Sequence, residues 1–377
     1  MQPFQMNYLE IEGDPLECGR IHGEALRSQI EEIRDIFLEQ AQLPDAAALE
    51  AMCWQVLDQT GFIAAAQHWT PGLAEEIEGI SQGSGLGRGF TWAFQLQDEL
   101  NSFIADQQAL PPAGDDRCTS LGSGPVTSSP AILAQNLDTP LIYRGRQTLL
   151  KLRRRGSPIQ AFIVTEPGLV GICGLNSLGL GVCQNTLANQ LNRSRQGVAT
   201  MLVARSLLGL ESLEQAVDFV KKAPHASGVN YALGDPSSVA DYECSPNQVV
   251  RCEPAGASGK IYHTNHPLAN TDLYPLERLP SGYQEAIQYF IRNSRTRFGA
   301  LEERMKRTPW PLTIDSVKEI LCSHDSSEFP ICRHGSPELG PMSGRTNNSI
   351  IMMLSASPEL HLSSGEPCQS EYRVFRF

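Results

Sequence analysis

The order of hydrophobic patterns along this 377-residue chain predicts an α+β protein, with two mostly antiparallel sheets and helices on their outer faces. Three observations lead there. The first hundred residues carry apolar positions at helical spacing. From Cys118 onward, short β-rich runs separated by turn residues take over. Helices and strands then return in blocks, and the chain closes on three strand-like runs.

Taken in order, residues 16–41 form a helical stretch, with Ile30, Ile33, Ile36 and Phe37 on one face. Residues 46–68 and 71–82 give two more. A glycine-rich piece follows, with Gly83, Gly85, Gly87 and Gly89. It reads as a turn, because no strand precedes it and no Lys-Ser/Thr follows as a phosphate loop requires. Residues 91–105 are helical again, and 107–117 form a loop rich in Pro, Gly and Asp that ends at Cys118. Next come the runs CTSLGSG, AILAQN, TLLKLRR, QAFIVT, LVGIC and LGLGVCQN, which read as strands. Helices are expected at 197–209 and at 212–223, the second capped by Ser212 with Leu213, Ala216, Val217 and Val220 facing inward. Strands resume between 228 and 266, helices cover 281–305 and 314–321, and SIIMMLS, ELHLS and YRVFRF end the chain.

Composition narrows the function. The formal net charge is −12 and the pI is about 5.2. No basic face suited to nucleic acid is visible, and Lys151 with Arg153, Arg154 and Arg155 reads as the solvated edge of a strand. No run of about 18 apolar residues suggests a membrane span. The N-terminus lacks a basic start followed by an apolar run, so a cytoplasmic location is expected. The ten cysteines are scattered without a C-x-x-C pair and are expected to be reduced, mostly buried, small hydrophobes.

The chemistry points to Cys118. It starts a strand at the end of the acidic loop. The chain turns between Gly122 and Pro130, and the return strand ends at Asn136-Leu137-Asp138. A hairpin brings the end of its second strand beside the start of its first, so Asn136 and Asp138 are expected near Cys118.

At these residues the chain resembles the acyl-coenzyme A:6-aminopenicillanic acid acyltransferase family, which includes hydrolases of β-alanyl amines. The pieces that carry the likeness run in order: Gly19-Arg20-Ile21-His22-Gly23, Asp98-Glu99, Asp116-Arg117-Cys118-Thr119, Gln135-Asn136-Leu137-Asp138, Gly228-Val229-Asn230, His263-Thr264-Asn265-His266, Ile331-Cys332-Arg333-His334 and Gly365-Glu366-Pro367-Cys368. They span nearly the whole chain. One departure is Arg117, where the family usually has Gly.

The resemblance implies a four-layer αββα sandwich of the N-terminal-nucleophile hydrolase type. It also implies self-cleavage between Arg117 and Cys118, giving segments 1–117 and 118–377 that stay together in one globular unit. Cys118 would then be the nucleophile, with its own α-amine as general base near neutral pH. Asp138 is implied as the acidic residue beside it and Asn230 as the oxyanion donor. Thr119, Ser120, Asn136, Glu99, His266 and Arg345 are the candidate substrate-binding residues. His22 reads as a satisfied helix histidine.

The substrate implied is a small-molecule amide, most readily an N-acyl or β-alanyl amine, with acyl-coenzyme A as the alternative acyl donor. No cofactor and no metal are expected: His263 and His266 lie three apart on a strand end with no zinc set of known spacing around them. A homo-oligomer is compatible with the composition. Two rival readings stand beside this one. The first is an uncleaved cysteine peptidase with a Cys118/His266/Asn230 triad. The second is a non-enzymatic binding protein whose processing Arg117 blocks.

Overall fold

The fold is seen in a computed structural model that describes residues 5–100, 117–188, 190–253, 259–279, 281–335 and 337–377. Two sheets stack face to face. One has eight strands: β1 (Asn7–Gly13), β4 (Thr148–Arg154), β5 (Gln160–Thr165), β6 (Cys173–Asn176), β7 (Gly181–Thr186), β8 (Val229–Asp235), β9 (Ser238–Cys244) and β10 (Val249–Arg251), in that spatial order. The other runs β11 (Lys260–His263), β2 (Arg117–Ser123), β3 (Ala131–Pro140), β12 (Gly344–Leu354), β13 (Glu359–Ser363) and β14 (Tyr372–Arg376). All neighbours are antiparallel except β1 and β4.

Helices cover both outer faces. α1 (Pro15–Ala25), α2 (Arg27–Gln40), α3 (Ala46–Leu57), α4 (Phe62–Trp69), α5 (Pro71–Ser84), α6 (Arg88–Gln95), α7 (Thr200–Leu207) and α8 (Leu213–Lys222) belong to the side of the eight-stranded sheet. α9 (Ser281–Arg307) and α10 (Ile314–Leu321) lie on the six-stranded sheet. This is the αββα sandwich that the family resemblance implies.

Alternation along the strands explains the layering. On β3, Ala131, Leu133 and Leu137 join the large core that runs between the sheets and under α1–α8. Ile132 and Ala134, one residue out of phase, join a second core with Leu301, Met305, Val317, Ile320 and Leu321 of α9 and α10. The large core also takes in Ile30, Ile33, Ile77 and Ile80, so the N-terminal helices share their buried surface with the sheets.

Several local expectations change. The long pattern at 16–41 divides at Leu26 into α1 and α2, and that at 46–68 divides before Gly61 into α3 and α4. Gly83 lies in α5, not in a turn. Gly19 and Gly23 of α1 face Gly79 and Gly83 of α5 so closely that a Cβ on Gly19 would sit 1.9 Å from the Glu76 carbonyl oxygen. The Gly19–Gly23 motif therefore serves helix packing. His22 from the same motif is buried, accepts the Gly168 N–H at 3.1 Å, and has its pKa lowered to about 4 by burial. Strand β1, which the sequence pattern does not predict, adds to the sheet edge beside β4. Residues 101–105 of the expected helix and most of the 107–117 loop lie outside the described residues.

Candidate active site around Cys118

The β2–β3 hairpin sets the site. Its register pairs Arg117 with Asp138, Cys118 with Leu137, Thr119 with Asn136 and Ser120 with Gln135. Directly opposed residues share a face, and successive residues alternate. Cys118 and Ser120 therefore look into the space between the sheets, where Leu137 packs and where the Ser120 hydroxyl donates to Asn185 Oδ1 on β7 at 2.7 Å. Arg117, Thr119, Asn136 and Asp138 look the other way, toward α9 and α10.

On the helix side, Arg297 of α9 is 1% exposed and anchors the backbone of the candidate nucleophile. Its Nη1 donates to the Cys118 carbonyl oxygen at 2.7 Å and to Thr119 Oγ1 at 2.8 Å; its Nη2 donates to Asn265 Oδ1 at 2.8 Å. Asn265 Oδ1 also accepts the Cys118 N–H at 2.9 Å, and Asn265 Nδ2 donates to the Thr186 carbonyl. Both ends of the Cys118 residue's backbone are thus held by one Asn–Arg pair. Sequence reasoning placed Asn265 only within a motif and missed Arg297. One Arg within a helix that carries four others gives no linear signal.

Asp138 sits on this same face. It accepts from Thr346 Oγ1 at 2.6 Å, and its Oδ2 is buried without a hydrogen-bond partner. Burial raises its pKa to about 6, against the pull of Arg297, Arg333, Thr346 and Arg117. The Arg117 guanidinium lies 4.1 Å from the ring centre of Phe290, a contact worth about 0.5–2 kcal/mol.

The inter-sheet side carries a buried polar cluster. Asn185 and Asn230 are paired across β7 and β8. Asn185 Nδ2 is buried without a partner, while Asn230 Nδ2 donates to Asp241 at 2.6 Å. Burial raises the Asp241 pKa to about 6. His263 has Nε2 on Glu243 Oε1 and Nδ1 on the Thr264 carbonyl, both at 2.8 Å. Burial opposes its protonation, but Glu243 and Asp241 overcome that and raise its pKa. Asp241, Cys252 and His263 lie within metal-binding distance of one another, yet with both ring nitrogens on acceptors His263 offers no lone pair.

The remaining candidates have other partners. Asn136 gives its amide to the Leu321 and Ile331 carbonyls, which ties β3 to the end of α10. Glu99 is buried, and its Oε1 accepts from Thr200 N and Ser227 Oγ at 2.9 Å, capping α7. Burial and neighbouring Asp98 raise its pKa to about 7. Arg345 forms a buried ion pair with Glu366. His266 bonds Ser294 Oγ through Nδ1 at 2.8 Å, packs edge-on against Phe298, and has its pKa lowered to about 4 by burial. Asn230 Oδ1 has no hydrogen-bond partner, so the His–Asn link of a Cys/His/Asn triad is not made.

The family model for acyl-coenzyme A:6-aminopenicillanic acid acyl-transferase matches residues 127–338, more than half of the chain. The chain belongs to this family. Over 337 residues it is 26% identical to the 40 kDa form of the acyl-coenzyme A:6-aminopenicillanic-acid-acyltransferase of Emericella nidulans, covering 87% of this chain and 85% of that one. Among solved structures, a mutant of the conjugated bile acid hydrolase from Clostridium perfringens matches with a TM-score of 0.41 at 12% identity, over 69% of this chain and 97% of that one. Penicillin V acylase from Agrobacterium tumefaciens matches with a TM-score of 0.41 at 15% identity, over 69% and 86%. Family membership makes the chain an enzyme of the acyltransferase class. No helix among the described residues is long and apolar enough to cross a membrane.

Proposed function

We propose that this member of the acyltransferase family is a self-processing amidohydrolase with Cys118 as nucleophile, acting on small N-acyl or β-alanyl amines. The observation that carries the reading is the grip of Asn265 and Arg297 on the backbone N–H and C=O of Cys118, at 2.9 and 2.7 Å. In maturation the Cys118 sulfur attacks the Arg117 carbonyl carbon. The peptide nitrogen leaves as the Cys118 α-amine, and water hydrolyses the resulting thioester to leave the Arg117 carboxylate. The freed amine has an ordinary pKa of about 8 and, seated on Asn265 Oδ1, takes the thiol proton in turnover. The thiolate attacks the substrate carbonyl, the amine departs with that proton, and water releases the acid.

Asn185 supports the reading. Its Nδ2, buried without a partner, belongs to a side chain on the same inter-sheet face as the thiol, where a donor to a developing oxyanion is worth about 3–4 kcal/mol. Asn230 is the neighbouring donor. Asp138 supports it too. It lies opposite Arg117 in the ladder, and its orphan Oδ2 can take a hydrogen bond from the α-amine once Arg117 is released. The net charge of −12 favours cationic amines over neutral ones through long-range steering.

The test is the intact mass of the denatured protein beside Cys118→Ala. Two associated fragments, the larger starting at Cys118, are expected from the wild type and one uncut chain from the variant. An uncut, fully active wild type would overturn self-processing. Turnover of neutral fatty-acyl amides equal to that of β-alanyl amines would overturn the substrate class.

A further inference from the structure

The stretch that follows α10 and the turn between β13 and β14 meet beside the six-stranded sheet. His324 follows α10, Cys332 and His334 precede β12, and Cys368 lies between β13 and β14. One donor atom from each lies within 4.8 Å of all the others. His324 Nε2 is 3.0 Å from His334 Nε2, Cys368 Sγ is 3.4 Å from His334 Nε2, and the two sulfurs are 3.4 Å apart. We propose that His324, Cys332, His334 and Cys368 form a structural zinc site.

Two thiolates and two imidazoles are the donor set that suits zinc, and closed four-ligand sites are the structural kind. Metal–ligand lengths of about 2.3 Å to sulfur and about 2.0–2.1 Å to nitrogen give tetrahedral edges of roughly 3.3–3.8 Å. The three separations given above lie within a few tenths of an ångström of such edges. The outer shell fits as well. Glu366, 3% exposed, has Oε1 3.6 Å from His334 Nδ1, leaving Nε2 for the metal, as in carboxylate–histidine–zinc arrangements. Cys332 is buried while His324, His334 and Cys368 reach the surface, which gives an entry path.

The site would act on the catalytic region without taking part in chemistry. Ile331 receives Asn136 of β3 through its carbonyl, and the Arg333 N–H bonds Thr346 Oγ1, which bonds Asp138. A metal at Cys332 and His334 would therefore fix the loop that backs Asp138.

The experiment measures zinc in the full-length protein after dialysis against metal-free buffer, beside His324→Ala and Cys368→Ser. About one equivalent per chain is expected in the wild type, with a lower Tm after a strong chelator and recovery on adding zinc. Both variants should lose the metal while keeping their circular dichroism. If the variants fail to fold, competition of the wild type with a chromophoric chelator gives the affinity directly. A metal-free wild type that also fails to bind added zinc when reduced overturns the proposal. So does a Cys332–Cys368 disulfide in protein purified without reductant that persists with zinc present, or full zinc retention by Cys368→Ser.

Discussion

On one face of strand β2, Cys118 and Ser120 meet the polar cluster between the sheets; on the other, Arg117 and Thr119 meet Asp138 and Arg297 under α9. The first face presents the Cys118 side chain, an Asn185 Nδ2 without a hydrogen-bond partner and the hydrogen-bonded Asn230–Asp241 pair. The second is mostly saturated with fixed bonds, Arg297 alone holding Cys118, Thr119, Asn265 and Asn293. A pleated strand can thus divide the work of a site. The inner face would carry the chemistry, and the outer face would hold the backbone from which the nucleophile projects.

Three substitutions sharpen or break this division. The largest effect is expected on the inner face. Asn185→Ala should lower kcat by about 10²–10³ with little change in KM, read from amine release by the processed enzyme. A purely structural Asn185 would leave kcat within a fewfold and lower Tm instead. Asp138→Asn, made in the uncut Cys118→Ala background, tests the outer face through pH. The folded carboxyl holds its proton to about 6 against 3.8 for the ordinary value, so wild-type stability from this group declines as pH rises across that window. The stability of the Asn variant relative to the Asp form should therefore improve from about pH 4 to about pH 7 in thermal melts. A flat difference would mean that the arginines, not burial, govern this carboxyl. The smallest effect is expected at Thr119→Val. It should cost about 1–2 kcal/mol of stability for the lost bond to Arg297 and leave kcat unchanged, since Arg297 keeps its bonds to Cys118 and Asn265. A large loss of kcat there would break the division.

The helices and strands are legible wherever the pattern is long and locally capped. Ser212 caps α8 as expected, and α10 spans Ile314–Leu321, the predicted bounds. Strand β1 is not legible because its partner, β4, lies 141 residues away in the register and its own pattern is short. The hairpin argument places Asp138 beside Cys118 but cannot assign faces. Register decides those, and a shift of one residue would exchange the sets. Asn136, Glu99 and Arg345 are pocket residues by the family likeness; their side chains serve a backbone tie, a helix cap and an ion pair. The proposed metal ligands do not read as a set in the linear chain, because Cys368 lies 34 residues beyond His334 and only the fold brings it to the His324–His334 stretch.

By itself the sequence determined what local physics controls: the periodicity that makes helices and strands, the turn that folds β2 against β3, and the cysteine at the loop's end. The tertiary structure decided what depends on contacts between distant segments. It brought Asn265 and Arg297 onto the Cys118 backbone from 147 and 179 residues away, and it left the Asn185 Nδ2 buried without a partner on the thiol's side. The reason is that a hydrogen bond or a shift in pKa depends on distance in space and on burial. The linear chain specifies neither until the sheets have packed.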